Sequence, residues 1–160
     1  MRRKDREIFG RENVEPILQA CKVCRIAMIA DGRPYVIPMN FGYTWDGSGL
    51  TLYFHSGLKG KKIDALKADP RICFEMDIQD GLTGDGDLAC RYSYAFSSIV
   101  GEGSVEFAQT NDEKRQGFDV IMKHQTGRDG WTYSDAHLAV AEVFRVRAES
   151  FEASRKQPKQ

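Results

Sequence analysis

The chain has 160 residues and a mass of 18.1 kDa, enough for one hydrophobic core and little more. At 41% hydrophobic and 29% charged it is too apolar for a disordered chain and too polar for a membrane bundle. Twenty-three Lys and Arg residues balance 23 Asp and Glu, and Arg155, Lys156 and Lys159 in the final segment leave 20 cations against 23 acids elsewhere, so neither nucleic acid nor anionic lipid is an expected partner.

The opening MRRKDREIFGREN is charged and has no apolar stretch behind it, so it does not read as a secretory signal. No apolar run approaches the roughly 18–20 residues that span a bilayer. Four cysteines are unremarkable for a chain that can be stable without disulfides. A soluble, cytoplasmic protein is expected.

The first helix is expected from about Asn13 to Cys21. Asn13 serves as its cap, Pro16 lies in the first turn, and Val14, Ile17, Leu18 and Cys21 form the buried stripe. The period then changes to two. Val23–Ala30 is a strand broken only by Arg25, and Asp31-Gly32 is a hairpin signal. The return strand Pro34–Trp45 alternates Tyr35, Ile37, Met39, Phe41 and Tyr43 on one face with Val36, Pro38, Asn40 and Gly42 on the other. After the Asp46–Gly49 turn, Leu50–Ser56 turns Leu50, Leu52 and Phe54 inward, with Thr51, Tyr53 and His55 opposite.

A short helix is expected over Gly60–Ala68, stopping before Pro70. Arg71–Gln79 is a strand and Asp80–Ala89 a loop. Tyr92–Phe107 is a long strand in which Gly101 and Gly103 mark a bulge or a barrel corner. Thr110 to Glu113 is a capping box that opens a helix with Phe118, Ile121 and Met122 inward and Gly127 as its stop. Val140–Phe151 closes the domain at residues 1–151, and residues 152–160 read as a flexible tail. About six strands joined mostly by hairpins, with three peripheral helices, favour a mostly-β fold, an antiparallel barrel rather than a doubly wound sheet.

The segment from His55 to Asp64 carries the most chemistry. It places Lys59, Lys61 and Lys62 around the first turn of a helix, the wrong end of the dipole for a cation. An anion seated among Ser56, Lys61, Lys62 and the free N–H groups would reverse that cost, and phosphate is the usual guest; a solvated cationic face is the alternative. The neighbouring Val36, Pro38, Asn40 and Gly42 form a shallow face against which a flat ring could lie, or else the solvent or dimer side of an edge strand.

Five segments then occur together: Pro34–Tyr43 (PYVIPMNFGY), Leu52–Ser56 (LYFHS), Gly60–Asp64 (GKKID), Asp69–Glu75 (DPRICFE) and Tyr94–Gly103 (YAFSSIVGEG). In this order and spacing they resemble the Nim-type, nitroimidazole-resistance branch of the pyridoxamine 5′-phosphate oxidase-like family of FMN-binding split barrels. Even the opening Met1–Ile8 is similar to that branch, and the resemblance reaches to about Phe151. It implies a six-stranded antiparallel split β-barrel and a homodimer with FMN at the interface. It implies that Pro38, Met39 and Asn40 line the isoalloxazine and that His55, Ser56, Lys61 and Lys62 hold the phosphate end, Lys61 and Lys62 directly. Ser97, Ser98 and Ile99 match a strand that lies near the cofactor, across the dimer. His55 either contacts the phosphate, supplies a proton to a reduced substrate as the candidate catalytic residue, or makes one structural hydrogen bond.

Other motifs carry less. Cys21-Lys-Val-Cys24 ends a helix and begins a strand, the wrong place for a thioredoxin-type motif, and Cys73 and Cys90 do not supply the second pair of a zinc site, so buried structural thiols are expected and no metal. Asp80, Asp85 and Asp87 lack the spacing of a calcium loop. Trp131 and Tyr133 either hang over a cofactor or pack on the barrel. Two functions follow. One is an FMN-dependent, nitroreductase-like oxidoreductase passing electrons from NADH or NADPH to a small acceptor. The other is a non-catalytic binder of flavin, haem or deazaflavin. A true pyridoxamine 5′-phosphate oxidase fits less well, because its substrate-phosphate arginines and histidine are not found.

Overall fold

A computed structural model describes residues 4–157. After a 3₁₀ turn at Lys4–Arg6, the chain runs β1 (Glu7–Ile8), α1 (Arg11–Ala20), β2 (Val23–Ala30), β3 (Arg33–Asn40), β4 (Gly42–Asp46), β5 (Gly49–Gly57), α2 (Lys61–Ala68) and β6 (Arg71–Thr83). A 3₁₀ turn at Ala89–Arg91 precedes β7 (Ser93–Phe107), α3 (Asn111–Thr126), α4 (Asp135–Ala139) and β8 (Ala141–Lys156). All strand pairs are antiparallel, in the order β3-β2-β6-β7-β8-β5-β4, with β1 added beside β8. The mostly-β, split-barrel reading therefore holds, as an eight-strand sheet that is not closed by hydrogen bonds.

The count rises from six to eight by the short β1 and by the division of one expected strand. The expected strand Pro34–Trp45 is two strands joined at the buried Phe41: β3 pairs with β2 at one end of the sheet, and β4 pairs with β5 at the other. One stretch of chain thus supplies both edges and curls the sheet upon itself. The inward faces agree with period-two alternation. Cys24, Ile26 and Met28, with Leu50, Leu52 and Phe54, and Phe74 and Met76, fill one core with Phe144 and Val146.

The strands extend beyond their expected ends where pairing continues. β6 crosses a bulge between Gln79 and Gly81 and runs on to Thr83, so the first residues of the expected 80–89 loop are strand. β8 runs past Phe151 to Lys156, because Ala153 and Ser154 are buried and pair with Ile99 and Ser98; Pro158–Gln160 of the expected tail lie outside the described residues, as do Met1–Arg3 of the opening motif. The bulge expected at Gly101 and Gly103 lies between Glu102 and Gly103, and an added Cβ on Gly103 would stand 2.3 Å from the Arg147 carbonyl oxygen.

Helix ends follow their chemistry, with one correction. α1 begins at Arg11 after Gly10 rather than at Asn13, whose side chain instead donates to the Phe9 carbonyl at 2.8 Å, and Pro16 falls inside the helix. α3 has the expected capping box, with Thr110 and Glu113 each bonding the other's backbone, and stops at Gly127 in the left-handed region. α4, capped by Ser134, is an addition to the expected helices and is too short to show a period in the sequence. No helix among the described residues is long and apolar enough to cross a membrane.

α3 packs on β4, β5 and β8, and it lies so close that an added Cβ on Gly42 would meet the Val120 carbonyl oxygen at 2.4 Å. Gly42 is therefore covered by a helix and does not belong to the open face of β3. Gly42→Ala should destabilise the protein by about 1–3 kcal/mol, as overpacking against backbone does. Gly47→Ala, at a position with nothing within 4 Å, serves as the control. Urea midpoints of the two variants check this, and equal midpoints would contradict the seating of α3.

Candidate functional site

The β2–β3 hairpin turns at Asp31 (φ 54°) and Gly32 (φ 71°), the positive-φ pair of a type I′ turn. Its cross-strand partners are Arg25 with Pro38, Ala27 with Val36, Ile29 with Pro34 and Val23 with Asn40, and each pair shares one side of the sheet. Of these, Val36, Pro38 and Asn40 are exposed, in agreement with the alternation, and β3 is an edge strand, which tolerates a proline without a donor. Met39 is not part of this surface. It pairs with Cys24 and is 8% exposed, so its side chain belongs to the core.

At the turn end of the hairpin lies α2. Gly60 precedes it at φ 124° and offers no side-chain cap, so the first N–H groups of the helix have no capping acceptor from that residue. Around them stand Lys61 and Lys62. Lys61 is exposed; its Nζ lies 3.7 Å from an Asp31 carboxylate oxygen and 5.1 Å above the Tyr35 ring. Lys62 is half-buried, and among the described residues no carboxylate pairs with it. Burial lowers its pKa below the ordinary lysine value. Ser56, half-buried at the end of β5, has a hydroxyl with no partner among the described residues.

His55 is next to Ser56 on β5, with its ring 5.3 Å from Phe118 of α3. His55 is an exposed residue, and partial desolvation of its ring, then the charge of Lys62, lower its pKa from the ordinary histidine value. Phe118 in turn stacks on Tyr133 at 5.3 Å and 24°, and the Tyr133 hydroxyl donates to Asp119 at 3.0 Å. Burial and that carboxylate raise the Tyr133 pKa. Tyr133 thus joins the wall beside His55. Trp131 does not, since its indole donates to the Arg128 carbonyl of its own loop at 3.1 Å and carries that guanidinium 4.9 Å from its ring.

The β7 segment divides between the two faces. Ile99 is in the core, and Ser97, 5% exposed, accepts a hydrogen bond from Arg155 Nε at 3.2 Å. Ser98 is on the outer side. Pairing carries that side from Pro38 through Arg25 to Glu75 and Val100, and Asp77, which shares Arg25 with Glu75, pairs with Ser98. Three strand spacings, roughly 14 Å, separate it from β3. One chain therefore does not bring Ser97–Ile99 to Lys61 and Lys62. Gln125, unmarked in the sequence, and Phe118, expected only as an inward residue of its helix, do reach the site region, through partners far away along the chain.

The CxxC thiols are buried, and burial pushes Cys21 up to about 11 and Cys24 to about 12, so both are protonated at neutral pH. A groove of about 1010 Å³ lies elsewhere, between Arg6, Phe9, Tyr92 and Lys156.

Residues 10–155 match the family model described as pyridoxamine 5′-phosphate oxidase. A crystal structure of a candidate 5-nitroimidazole antibiotic resistance protein from Bacteroides thetaiotaomicron is 33% identical, covers 92% of this chain and 84% of its own, and superposes with a TM-score of 0.79. A FAD-binding protein from Mesorhizobium loti is 26% identical, with coverages of 93% and 96% and a TM-score of 0.62. A curated relative, an uncharacterized protein from Rhizobium meliloti (strain 1021), is 28% identical over 69 residues; the match spans 43% of this chain and 42% of that protein.

The histidines set the response to acid. His55, and His124 by its own burial, have pKa values below 6.5 in the folded protein, so the unfolded chain binds protons first as the pH falls. The histidines' contribution to stability should be fully present above the ordinary histidine pKa of about 6.5 and decline below it. His55→Gln should flatten this decline between pH 7.5 and 5.5 without abolishing it, since His124 remains. Urea unfolding at a series of pH values measures the slope, and an unchanged slope would remove His55 from the desolvated wall.

Proposed function

The chain belongs to the pyridoxamine 5′-phosphate oxidase family, and on that footing we propose that it is an FMN-dependent oxidoreductase passing electrons from NADH or NADPH to a small acceptor such as a nitroaromatic. One observation carries the cofactor assignment: Lys62 is half-buried, without a carboxylate partner among the described residues, beside the uncapped start of a helix. Removing an ammonium from water without a counter-charge is unfavourable, and a phosphate dianion is the guest that reverses the sign. The residues present fit that group, since Lys62, Lys61, the Ser56 hydroxyl and the first N–H groups of α2 are all donors.

In this reading Lys62 and Lys61 bind the phosphate, and the exposed face of β3 at Pro38 and Asn40 supports the ring. Phe118 and Tyr133 shield one side of His55 from water. His55, neutral at pH 7 while Lys62 is unneutralised, gains basicity once an anion offsets that charge, and its imidazole nitrogen can then hold a proton near the phosphate end. A bound flavin supplies the hydride chemistry itself, so no side-chain nucleophile is required. A homodimer completes the proposal: a second copy would cover the open face and bring its own Ser98 side to it. A cytoplasmic setting suits a nicotinamide donor.

Similarity to the candidate 5-nitroimidazole resistance protein of Bacteroides thetaiotaomicron favours a nitroaromatic among acceptors. Anaerobic bleaching of FMN-loaded protein by NADH or NADPH, followed by reoxidation with a nitroimidazole, tests turnover; flavin that binds but is never reduced would leave a non-catalytic binder. For the site, Lys62→Met should weaken FMN about tenfold to a hundredfold, the loss of one charge-assisted bond of ~1.5–3 kcal/mol. The same substitution should raise the melting temperature of the ligand-free protein, because it removes a desolvated charge. Fluorescence titration and a thermal melt read the two effects, and unchanged affinity would refute the assignment of the phosphate.

A further inference from the structure

The last turn of α3 reaches across the molecule to the point where β3 becomes β4. There the Gln125 carboxamide nitrogen donates to the carbonyls of Phe41 (2.8 Å) and Lys22 (3.0 Å). The Asn40 carboxamide nitrogen also donates to the Lys22 carbonyl (3.0 Å), and it approaches the Gln125 side-chain oxygen at 3.4 Å. Carbonyl oxygens accept and never donate, so these contacts fix both amides. Turning Gln125 over would set its oxygen against two carbonyls, and turning Asn40 over would set its oxygen against one. The Asn40 nitrogen is thereby held toward the protein. Its Oδ1, which accepts no bond among the described residues, is left to the exposed side of β3.

We propose that Gln125 is a positioning residue that makes Asn40 a dedicated hydrogen-bond acceptor at the open face of β3, and that this acceptor selects ring systems carrying an imide N–H. An unassisted asparagine can rotate to present either a donor or an acceptor and discriminates little. One locked as an acceptor is left desolvated and unpaired by a ligand whose N–H is blocked. The position suits the ring end of the proposed ligand. Lys61 lies 3.7 Å from Asp31 at the turn that leads into β3, and Asn40 ends that strand, so phosphate end and ring end fall at opposite ends of one strand. The inference rests on the flavin reading and adds to it the group that reads the ring.

The test uses the full chain and three probes: FMN, FMN methylated at its imide nitrogen N3, and riboflavin. Fluorescence titration should show wild type preferring FMN over the N3-methyl compound by about tenfold. In Gln125→Leu that preference should fall to within about twofold, while the preference for FMN over riboflavin, which reports the phosphate end, stays as in wild type. Asn40→Ala removes the acceptor without touching the bonds from Gln125 to Phe41 and Lys22, and should show the same loss even if Gln125→Leu folds poorly. Wild type that binds FMN and the N3-methyl compound equally overturns the inference and leaves the flavin reading standing. A preference lost in Asn40→Ala but kept in folded Gln125→Leu overturns the role of Gln125. Failure of wild type to bind any of the three probes overturns the flavin reading, and the inference with it.

Discussion

A sheet whose two ends are consecutive segments of chain cannot open without moving the residue between them. Here that residue is Phe41, fully buried, 6.4 Å from the Phe54 ring and 4.7 Å from His124. β3 and β4 have no ladder with each other, so the curl of the sheet is held by chain connectivity and by whatever satisfies the backbone at the corner. α3 does this. Gln125 takes up the Phe41 carbonyl, Gly42 lets the helix backbone approach, and His124 ties the same turn to the Cys21 carbonyl at 2.8 Å. The capping box and the Gly127 stop fix the length of α3, and with it the position of that last turn. The geometry of the exposed face of β3 follows from a helix that meets that strand at Asn40, through Gln125.

At the far end of β3 the energetic logic is opposite. Several other cations are matched: Arg25 bridges Glu75 and Asp77, Arg145 meets Glu106, and Arg71 holds Asp69 well below its usual range, to about 2. Lys62 is half out of water with no such partner among the described residues, at the helix end where a positive charge is least welcome. Sites that must accept a ligand's charge are left locally unfavourable without it, and surrounding structure bears the cost. The Phe118 ring, stacked on Tyr133 and set against His55, is part of that structure.

Legibility from the sequence follows the range of the interactions. Alternation identifies which residues of β2, β5 and β6 turn inward, and local chemistry identifies the Asp31-Gly32 turn, the box at Thr110 and the clustered lysines, since each depends on neighbours within a few residues. The break at Phe41 is not legible. Alternation passes through it undisturbed, and what separates β3 from β4 is the identity of their distant partners. For the same reason Gln125, whose acceptors lie 84 and 103 residues away, gives no signal. Met39 falls within the strand that the family resemblance sets at the cofactor, yet its own parity in the alternation turns it into the core. The burial of Cys21 and Cys24 is legible from position alone: at the junction of a helix and a strand they have nowhere to point but inward.

The outer side of β2 and β3 bears on how a ring could be held. Ala27, Ile29, Pro34, Val36 and Pro38 share it, with Ile29 51% and Val36 56% exposed, and Arg25, already paired, interrupts it. An apolar strip of this kind offers one wall to a flat ligand, and a ring lying on one wall keeps its other face in water. Pockets that hold such rings enclose most of their surface. The locked acceptor at Asn40 gains discrimination only when water cannot replace the ligand's missing N–H, so it calls for a second wall. Val36 and Pro38 are exposed, and the principal packing of α3 is on β4, β5 and β8 and that of α2 on β2, so neither helix provides it. The outer-face residues of β7, Ser98 and Val100, lie in the same plane as the strip, not over it. In the proposed homodimer those residues would come from the second copy, and closure of the ring site and pairing of the chains become one event. The chemistry of Lys62 acts on one chain alone, whereas selection at Asn40 would be a property of the pair.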